Sequence, residues 1–244
     1  MNTELVFPGD LLNSIDPRTT KNLHPSTGLY RPDQEGSFIA TRAGSLENNP
    51  RKKVAWIDAP RARYIPRVGD LVIAQVQRSS TDFYHLNLSS YSPQAVLPQL
   101  AFEGASKKTR PQLKLGDLVY GKVLFASKNM EVELTCVDPS TGKAEPDGLG
   151  PISGGMLFDI STGFANRLLV GQGVSLLDEL GAKIPGGFEV AIGKNGKIWV
   201  DSPEAGIQGT CAIGRCLQEA DLKVLSNSQQ TKLVIKVLED FGLG

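Results

Sequence analysis

The sequence is poor in the residue types that most often build metal sites and disulfide frameworks. Its 244 residues include three cysteines, Cys136, Cys211 and Cys216, and two histidines, His24 and His85. An odd number of cysteines without paired spacing indicates neither a disulfide framework nor a cysteine-rich zinc site. We therefore expect an intracellular protein that uses no metal and no other cofactor.

Long apolar runs are missing as well. No stretch approaches the roughly 18 uninterrupted apolar residues of a membrane-spanning helix. The first seven residues, MNTELVF, contain no basic region followed by an apolar run, which a secretion signal would need. We expect a soluble, unsecreted protein with no membrane partner.

Recognisable catalytic motifs are also absent. The sequence has no G-x-S-x-G elbow, no P-loop and no tight group of acidic residues such as a two-metal nuclease requires. Asp58, Asp70 and Asp117 are isolated, and the last two follow glycine at the start of apolar runs, where aspartate is a turn residue. We expect no catalytic residues and no enzyme activity.

The formal net charge is zero, but the charges are unevenly distributed. Residues 1–60 carry seven Lys/Arg and seven Asp/Glu and are neutral. Residues 61–137 carry ten Lys/Arg against six Asp/Glu, a net charge of +4, whereas residues 138–244 carry nine against thirteen, a net charge of −4. If one segment binds an anion, the middle segment is the first candidate.

The first segment reads as a small N-terminal β domain over residues 1–60. Short apolar runs at residues 5–7, 37–40 and 54–57 are separated by turn-forming Pro, Gly, Asp and Asn. The basic cluster Arg51, Lys52 and Lys53 has two interpretations, a solvated loop or a contact with nucleic acid.

The middle segment contains an internal repeat. Residues 69–76 (GDLVIAQV) recur in altered form as residues 116–123 (GDLVYGKV). Polar and apolar residues alternate over residues 82–88 and 130–136, and residues 95–98 form a further apolar run. Five short strands in about 75 residues favour a small barrel, and the OB-fold is the commonest RNA-binding one, so we predict an OB-fold over residues 61–140.

The longest connection in this barrel carries a basic loop. OB barrels bind single strands by combining a cationic groove with aromatic faces on which bases stack. The predicted RNA-binding residues are Lys107, Lys108, Arg110, Tyr84 and Phe102. The alternative is a solubilising loop beside aromatic residues of the barrel core, because alternation buries one of Phe83 and Tyr84.

The last segment mixes helices and strands. We predict helices at residues 162–170, 175–180, 210–222 and 228–241, a strand at residues 156–160, and two strands within residues 188–200. This order fits a small α+β domain of the KH type over residues 150–244. The predicted fold class is therefore multidomain, mainly β plus α+β.

Five stretches carry a family resemblance that covers essentially the whole chain. They are residues 7–10 (FPGD), 63–66 (RYIP), 105–111 (ASKKTRP), 115–120 (LGDLVY) and 188–200 (FEVAIGKNGKIWV). In these stretches the chain resembles the ribosomal-RNA-processing protein 40 family, also called exosome component 3, of RNA exosome cap subunits.

The resemblance implies an N-terminal β domain, an OB module of the ribosomal-protein-S-one type and a KH domain. It also implies a non-catalytic subunit that guides single-stranded RNA into the channel of a ring. Degradation and processing, including rRNA maturation, would proceed 3′-to-5′ in a separate catalytic subunit. The implied partners are RNase PH-like ring subunits, other cap subunits and the catalytic exonuclease, and the implied locations are nucleus, nucleolus and cytoplasm. The alternative is a free-standing RNA-binding factor in translation or RNA modification.

One turn in the KH segment admits two interpretations. An RNA-clamping KH domain places a G-x-x-G loop between two helices, but here Gly193-Lys194-Asn195-Gly196 is flanked by strands. Asn-Gly between apolar runs predicts a two-residue type I′ turn, which would pair Lys194 with Lys197 and Ile192 with Trp199. Gly193, Asn195, Gly196 and Trp199 then have structural roles. The alternative is a phosphate clamp supported by Lys194 and Lys197.

Overall fold

The computed structural model describes residues 4–12, 24–25, 28–32, 38–49, 54–59, 63–90, 92, 94–127, 129–171, 175–223, 225 and 227–243. The chain forms two compact units, Met1–Ala62 and Arg63–Gly244. The basic cluster at residues 51–53 lies outside the described residues. None of the helices described is both long enough and apolar enough to cross a membrane.

The first unit is built from short strands in two sheets. The strands are β1 (Glu4–Val6), β2 (Leu11–Leu12), β3 (His24–Pro25), β4 (Leu29–Tyr30), β5 (Phe38–Ala40), β6 (Gly44–Asn49) and β7 (Val54–Asp58). One sheet has the order β1-β6-β7-β3 and the other β2-β5-β4. Their inward side chains form one apolar core around Phe38 and Ile57, both fully buried.

The second unit begins with a closed barrel. Its strands are β8 (Leu71–Ser79), β9 (Phe83–Asn87), β10 (Ala95–Pro98), β11 (Leu118–Ser127) and β12 (Met130–Thr135), with β13 (Gly150–Ile152) added beside β11. β8, β9, β10, β12 and β11 pair in that order, and β11 closes the ring on β8. Only the β10–β12 pairing in this ring is parallel. The predicted OB-type barrel is confirmed.

The internal repeat explains how the barrel closes. Its two copies are the antiparallel neighbours β8 and β11, and their ends bond reciprocally. The Gly69 amide donates to the Val123 carbonyl at 2.8 Å, and the Gly116 amide donates to the Val76 carbonyl at 2.9 Å. The two Gly-Asp turns therefore lie at opposite ends of one strand pair.

The remainder of the second unit is a three-stranded sheet covered by helices. Its elements are β14 (Met156–Asp159), α1 (Thr162–Val170), α2 (Leu176–Lys183), β15 (Glu189–Gly193), β16 (Lys197–Asp201), α3 (Gly206–Lys223) and α4 (Asn227–Asp240). The antiparallel sheet has the order β14-β16-β15. The Ser161 side chain caps α1 by accepting from the Phe164 amide at 3.1 Å, and Gly171 ends it in the left-handed conformation. The predicted KH domain is confirmed.

The hairpin between β15 and β16 differs from the prediction by one residue. Lys194, Asn195 and Gly196 form a three-residue turn, so Gly193 pairs with Lys197 and Ile192 pairs with Ile198. The predicted pairings of Lys194 with Lys197 and of Ile192 with Trp199 are wrong. The Gly196 amide donates to the Gly193 carbonyl at 3.0 Å, and Gly196 has a φ of 78°. This is the geometry of a three-residue hairpin loop whose last residue is left-handed.

The longer turn places Asn195 in the barrel. Its side chain is 6% exposed, and its Nδ2 donates to the carbonyls of Ile73 at 2.8 Å and Leu88 at 2.7 Å. Its Oδ1 accepts from the Ile73 amide at 3.3 Å. A local Asn-Gly signal cannot anticipate this outcome, because three of the groups that select the turn belong to another domain.

Further contacts surround this junction between the barrel and the KH domain. Lys194 forms an ion pair with buried Asp70 at 2.8 Å, and the Tyr120 hydroxyl donates to the Ile192 carbonyl at 3.1 Å. The Trp199 ring belongs to the apolar core of the barrel although Trp199 is a β16 residue. A Cβ atom on Gly193 would lie 2.7 Å from the Ile73 nitrogen, so the approach of the two domains requires glycine there.

We predict that Asn195→Ala destabilises the second unit by at least about 2 kcal/mol, since it leaves three buried backbone groups without partners. Urea unfolding followed by circular dichroism measures the change. Asn87→Ala is the control, because Asn87 is half-buried in β9 and its side chain makes no hydrogen bond within the described structure. Equal midpoints for the two variants would contradict a structural role for the Asn195 amide.

Candidate nucleic-acid interface

The basic loop, residues 99–117 between β10 and β11, holds its cations on one ordered turn. The Ser106 hydroxyl accepts from the amides of Lys108 at 3.4 Å and Thr109 at 3.3 Å. The Arg110 amide donates to the Ser106 carbonyl at 3.0 Å. Lys107 and Lys108 are exposed on this turn and Arg110 is half-exposed. The backbone therefore fixes where the three positive charges emerge.

These three cations have no acidic partner within the residues that the structure describes. Several lysines elsewhere in the second unit are paired with carboxylates, among them Lys122, Lys194 and Lys197. Lys122 pairs with Asp138 at 3.2 Å, and this hydrogen bond raises the pKa of Lys122. The basic loop thus combines exposure with uncompensated charge, the condition for binding a phosphate chain.

The aromatic residues predicted to stack on bases lie inside the barrel instead. Tyr84 is 3% exposed and Phe102 is 6% exposed, so neither ring offers a free face. The prediction that they stack on RNA is therefore contradicted, and the physical reason is the alternation of β9, which turns Tyr84 inward.

The buried Tyr84 side chain holds the backbone of the basic loop by hydrogen bonds. Its hydroxyl donates to the Pro111 carbonyl at 2.7 Å and accepts from the Leu113 amide at 3.4 Å. On the other side of the loop, the Ala144 amide donates to the Glu103 carboxylate at 2.8 Å. The loop is consequently attached to the barrel on both sides of its three cations.

A second group of candidate RNA-contacting side chains lies on the outer face of β8 and β9. The alternation of inward and outward residues along a strand could identify it from the sequence. Phe83 is 41% exposed and presents the ring face that Tyr84 does not. Arg78 Nη2 lies 3.1 Å from His85 Nε2. Because a guanidinium can only donate, His85 Nε2 is the acceptor in this contact.

The polar side chains in and beside the turn at residues 193–196 are already engaged within the protein, so they are poorly available to a phosphate. Lys194 is paired with Asp70, Lys197 is paired with Asp159 at 3.1 Å, and Asn195 is buried. The geometry therefore favours the structural interpretation of this turn over the phosphate clamp.

Side chains that could carry chemistry are sparse in the described part of the chain. Among those residues, no group of three or more His, Cys, Asp or Glu side chains could hold a metal ion. Burial raises the pKa of the Cys136 and Cys216 thiols to about 12, so both stay protonated at neutral pH. Cys211 lies with its Sγ 3.7 Å from Met156 Sδ.

Comparisons with known proteins agree with this architecture. The family model described as the S1 domain of exosome complex component RRP40 matches residues 64–150, and a KH domain model matches residues 155–206. A crystal structure of a candidate exosome complex RNA-binding protein has the same fold, with a TM-score of 0.57 at 22% identity, covering 73% of this chain and 97% of that one.

Curated relatives extend the similarity to the whole length. The chain is 36% identical to exosome complex component RRP40 of Saccharomyces cerevisiae over 243 residues, covering 96% of this chain and 98% of the yeast protein. Identity to the Homo sapiens protein of the same name is 37% over 190 residues, covering 75% of this chain and 66% of the human one. The chain therefore belongs to the exosome complex component RRP40 family.

Proposed function

We propose that this protein is the RNA-binding cap subunit of an RNA exosome. It guides single-stranded RNA into the channel of a ring, and a separate subunit degrades or processes the strand 3′-to-5′, as in rRNA maturation. Family membership supports this function and disfavours a free-standing factor in translation or RNA modification. The proposed locations are those of the complex, in nucleus, nucleolus and cytoplasm.

The observation that carries the proposal is the set of unpaired cations on the basic loop. Lys107, Lys108 and Arg110 emerge from a closed barrel of the kind that binds single strands, on a loop held in place by Tyr84. Contacts from such cations to phosphates position a strand without reading its sequence. A guide must accept many RNAs, so contacts to the backbone suit this role.

The first unit supports the proposed protein partners, which are RNase PH-like ring subunits, other cap subunits and the catalytic exonuclease. Leu11 and Tyr30 both pair with Ile39, one on each side, so the three side chains form a row across the sheet β2-β5-β4. Leu11 is 64% exposed and Tyr30 is 56% exposed. We assign this apolar row to contact with the ring, because exposed apolar patches mark protein interfaces.

The protein itself is proposed to be non-catalytic. The thiols of Cys136 and Cys216 are buried and protonated, so they are poorly suited to act as nucleophiles. The His85 imidazole contacts Arg78, so it is poorly placed for acid/base catalysis.

We predict that Lys107→Ala, Lys108→Ala and Arg110→Ala together weaken binding of single-stranded RNA for all sequences. The slope of log affinity against log salt should fall by about 0.7 for each lost contact, hence roughly two units. Titration of labelled oligonucleotides at several salt concentrations measures this slope. The matched control replaces Lys183, Lys232 and Lys236, exposed lysines of the KH helices, and it should leave the slope nearly unchanged. An equal decrease of the slope in the two triple variants would mean that the basic loop contributes no more than any other exposed lysines.

We predict that Leu11→Ser with Tyr30→Ser removes ring subunits from a native affinity purification without lowering the melting temperature, since both side chains are exposed. Mass spectrometry of the purified complex measures the loss. Ile207→Ser, at a residue that is 80% exposed on α3, is the control for removing an apolar side chain elsewhere. Full recovery of the ring with the double variant would disprove the assignment of this surface.

We predict that the pure protein leaves labelled single-stranded RNA intact in the presence of magnesium, because its described residues form no group that could hold a metal ion for catalysis. Gel electrophoresis over several hours is the measurement. Processive shortening that a point substitution in this chain abolishes would overturn the non-catalytic assignment.

A further inference from the structure

An open cavity of about 500 Å³ lies where the basic loop rejoins the barrel. Its lining includes Pro111, Gln112 and Asp117 from the basic loop, and Pro151 and Ser153 from β13 and the residue after it. The volume falls within the range of small-molecule sites, roughly 300–1,000 Å³. Because Pro111 directly follows Arg110, the cavity begins where the cationic turn ends.

Three polar side chains that line this cavity keep free hydrogen-bonding atoms. Asp117 uses Oδ2 to accept from the Lys114 amide at 2.7 Å, which closes the turn that starts β11. Its Oδ1, the Gln112 amide and the Ser153 hydroxyl have no hydrogen-bond partner among the residues that the structure describes. A carboxylate, an amide and a hydroxyl thus face one space with free bonding capacity.

We propose that this cavity receives one base of the RNA strand held by the basic loop, and that it prefers guanine. The inference rests on the proposed function and adds a base-reading site to a surface that otherwise contacts phosphates. Phosphates bind to Lys107, Lys108 and Arg110, and the adjacent base turns into the cavity between Pro111 and Pro151.

Guanine follows from the hydrogen-bonding chemistry of Asp117. An ionised carboxylate only accepts hydrogen bonds. On the Watson–Crick edge, guanine offers two adjacent donors, N1–H and N2–H, whereas adenine, cytosine and uracil each place an acceptor beside their donor. Only guanine therefore satisfies a carboxylate without bringing a base oxygen or nitrogen lone pair against it. Single-stranded RNA is read on these edges.

The chain supplies a matched control for this carboxylate. Asp10 makes the same turn in the first unit, where its Oδ2 accepts from the Phe7 amide at 2.8 Å and its own amide donates to the Phe7 carbonyl at 3.0 Å. Asp10 does not line the cavity. Asp117→Asn and Asp10→Asn both keep an oxygen for the turn, so Asp10→Asn shows the effect of the same substitution on a turn away from the cavity.

The test is binding of the full chain to oligouridine carrying a single guanine, adenine, cytosine or uridine at its centre. We expect the wild type to bind the guanine strand about tenfold tighter than the uridine strand, at the lower end of the discrimination that contacts to a base edge supply. Asp117→Asn should abolish this preference while keeping the affinity for oligouridine, and Asp10→Asn should keep both. Ser153→Trp, which fills the cavity from an exposed residue, should also remove the preference.

The outcomes separate the two proposals. Uniform binding of all four strands by the wild type, or a guanine preference that survives both Asp117→Asn and Ser153→Trp, overturns the base site and leaves the guiding function standing. If the triple variant of Lys107, Lys108 and Arg110 loses binding to every strand and the other variants do not, the result supports the guiding function independently. A wild type that binds none of the strands overturns both.

Discussion

The buried amide of Asn195 is the interaction on which the second unit depends. A polar group that is 6% exposed must find its hydrogen bonds within the protein, and here backbone groups of Ile73 and Leu88 provide all of them. Those groups belong to the barrel, whereas Asn195 belongs to a KH hairpin. Because amide bonds are directional, the turn fits the barrel in one orientation. The KH domain is consequently a fixed support for the barrel.

Closure of the barrel transmits this rigidity to the basic loop. A closed sheet has no edge to fray, and its interior side chains are held in place by packing. Tyr84 is one of these side chains, and its hydroxyl holds the backbone at Pro111 and Leu113. The cations of the basic loop, although exposed, therefore lie on a loop whose ends are anchored. Anchoring lowers the entropy cost of ordering the loop around a strand.

Periodicity in the sequence predicts most of the fold, because burial selects every second residue in a strand and every third or fourth in a helix. Helix α1 agrees with its prediction at both ends, and Leu233, Val234, Val237 and Leu238 of α4 are buried as their spacing requires. The predicted register of the hairpin at Gly193 is wrong. Asn-Gly propensity is a local signal, whereas the barrel groups that bind Asn195 are distant in sequence. Stacking by Tyr84 and Phe102 failed for a related reason: an aromatic residue near a basic loop can bind RNA or support the loop, and only burial distinguishes the two.

The three Gly-Asp turns show why a motif does not determine a role. Asp10, Asp70 and Asp117 each follow a glycine with positive φ and each accept from the amide three residues earlier. Their surroundings then separate them. Asp10 is exposed, Asp70 is buried and pairs with Lys194, and Asp117 keeps one oxygen free beside a cavity. The local turn fixes where each carboxylate stands, while the neighbouring elements decide whether it stabilises a junction or faces a ligand. β8 and β11 carry the two copies of one sequence repeat. The KH hairpin covers the turn before β8, whereas the equivalent carboxylate before β11 stays open.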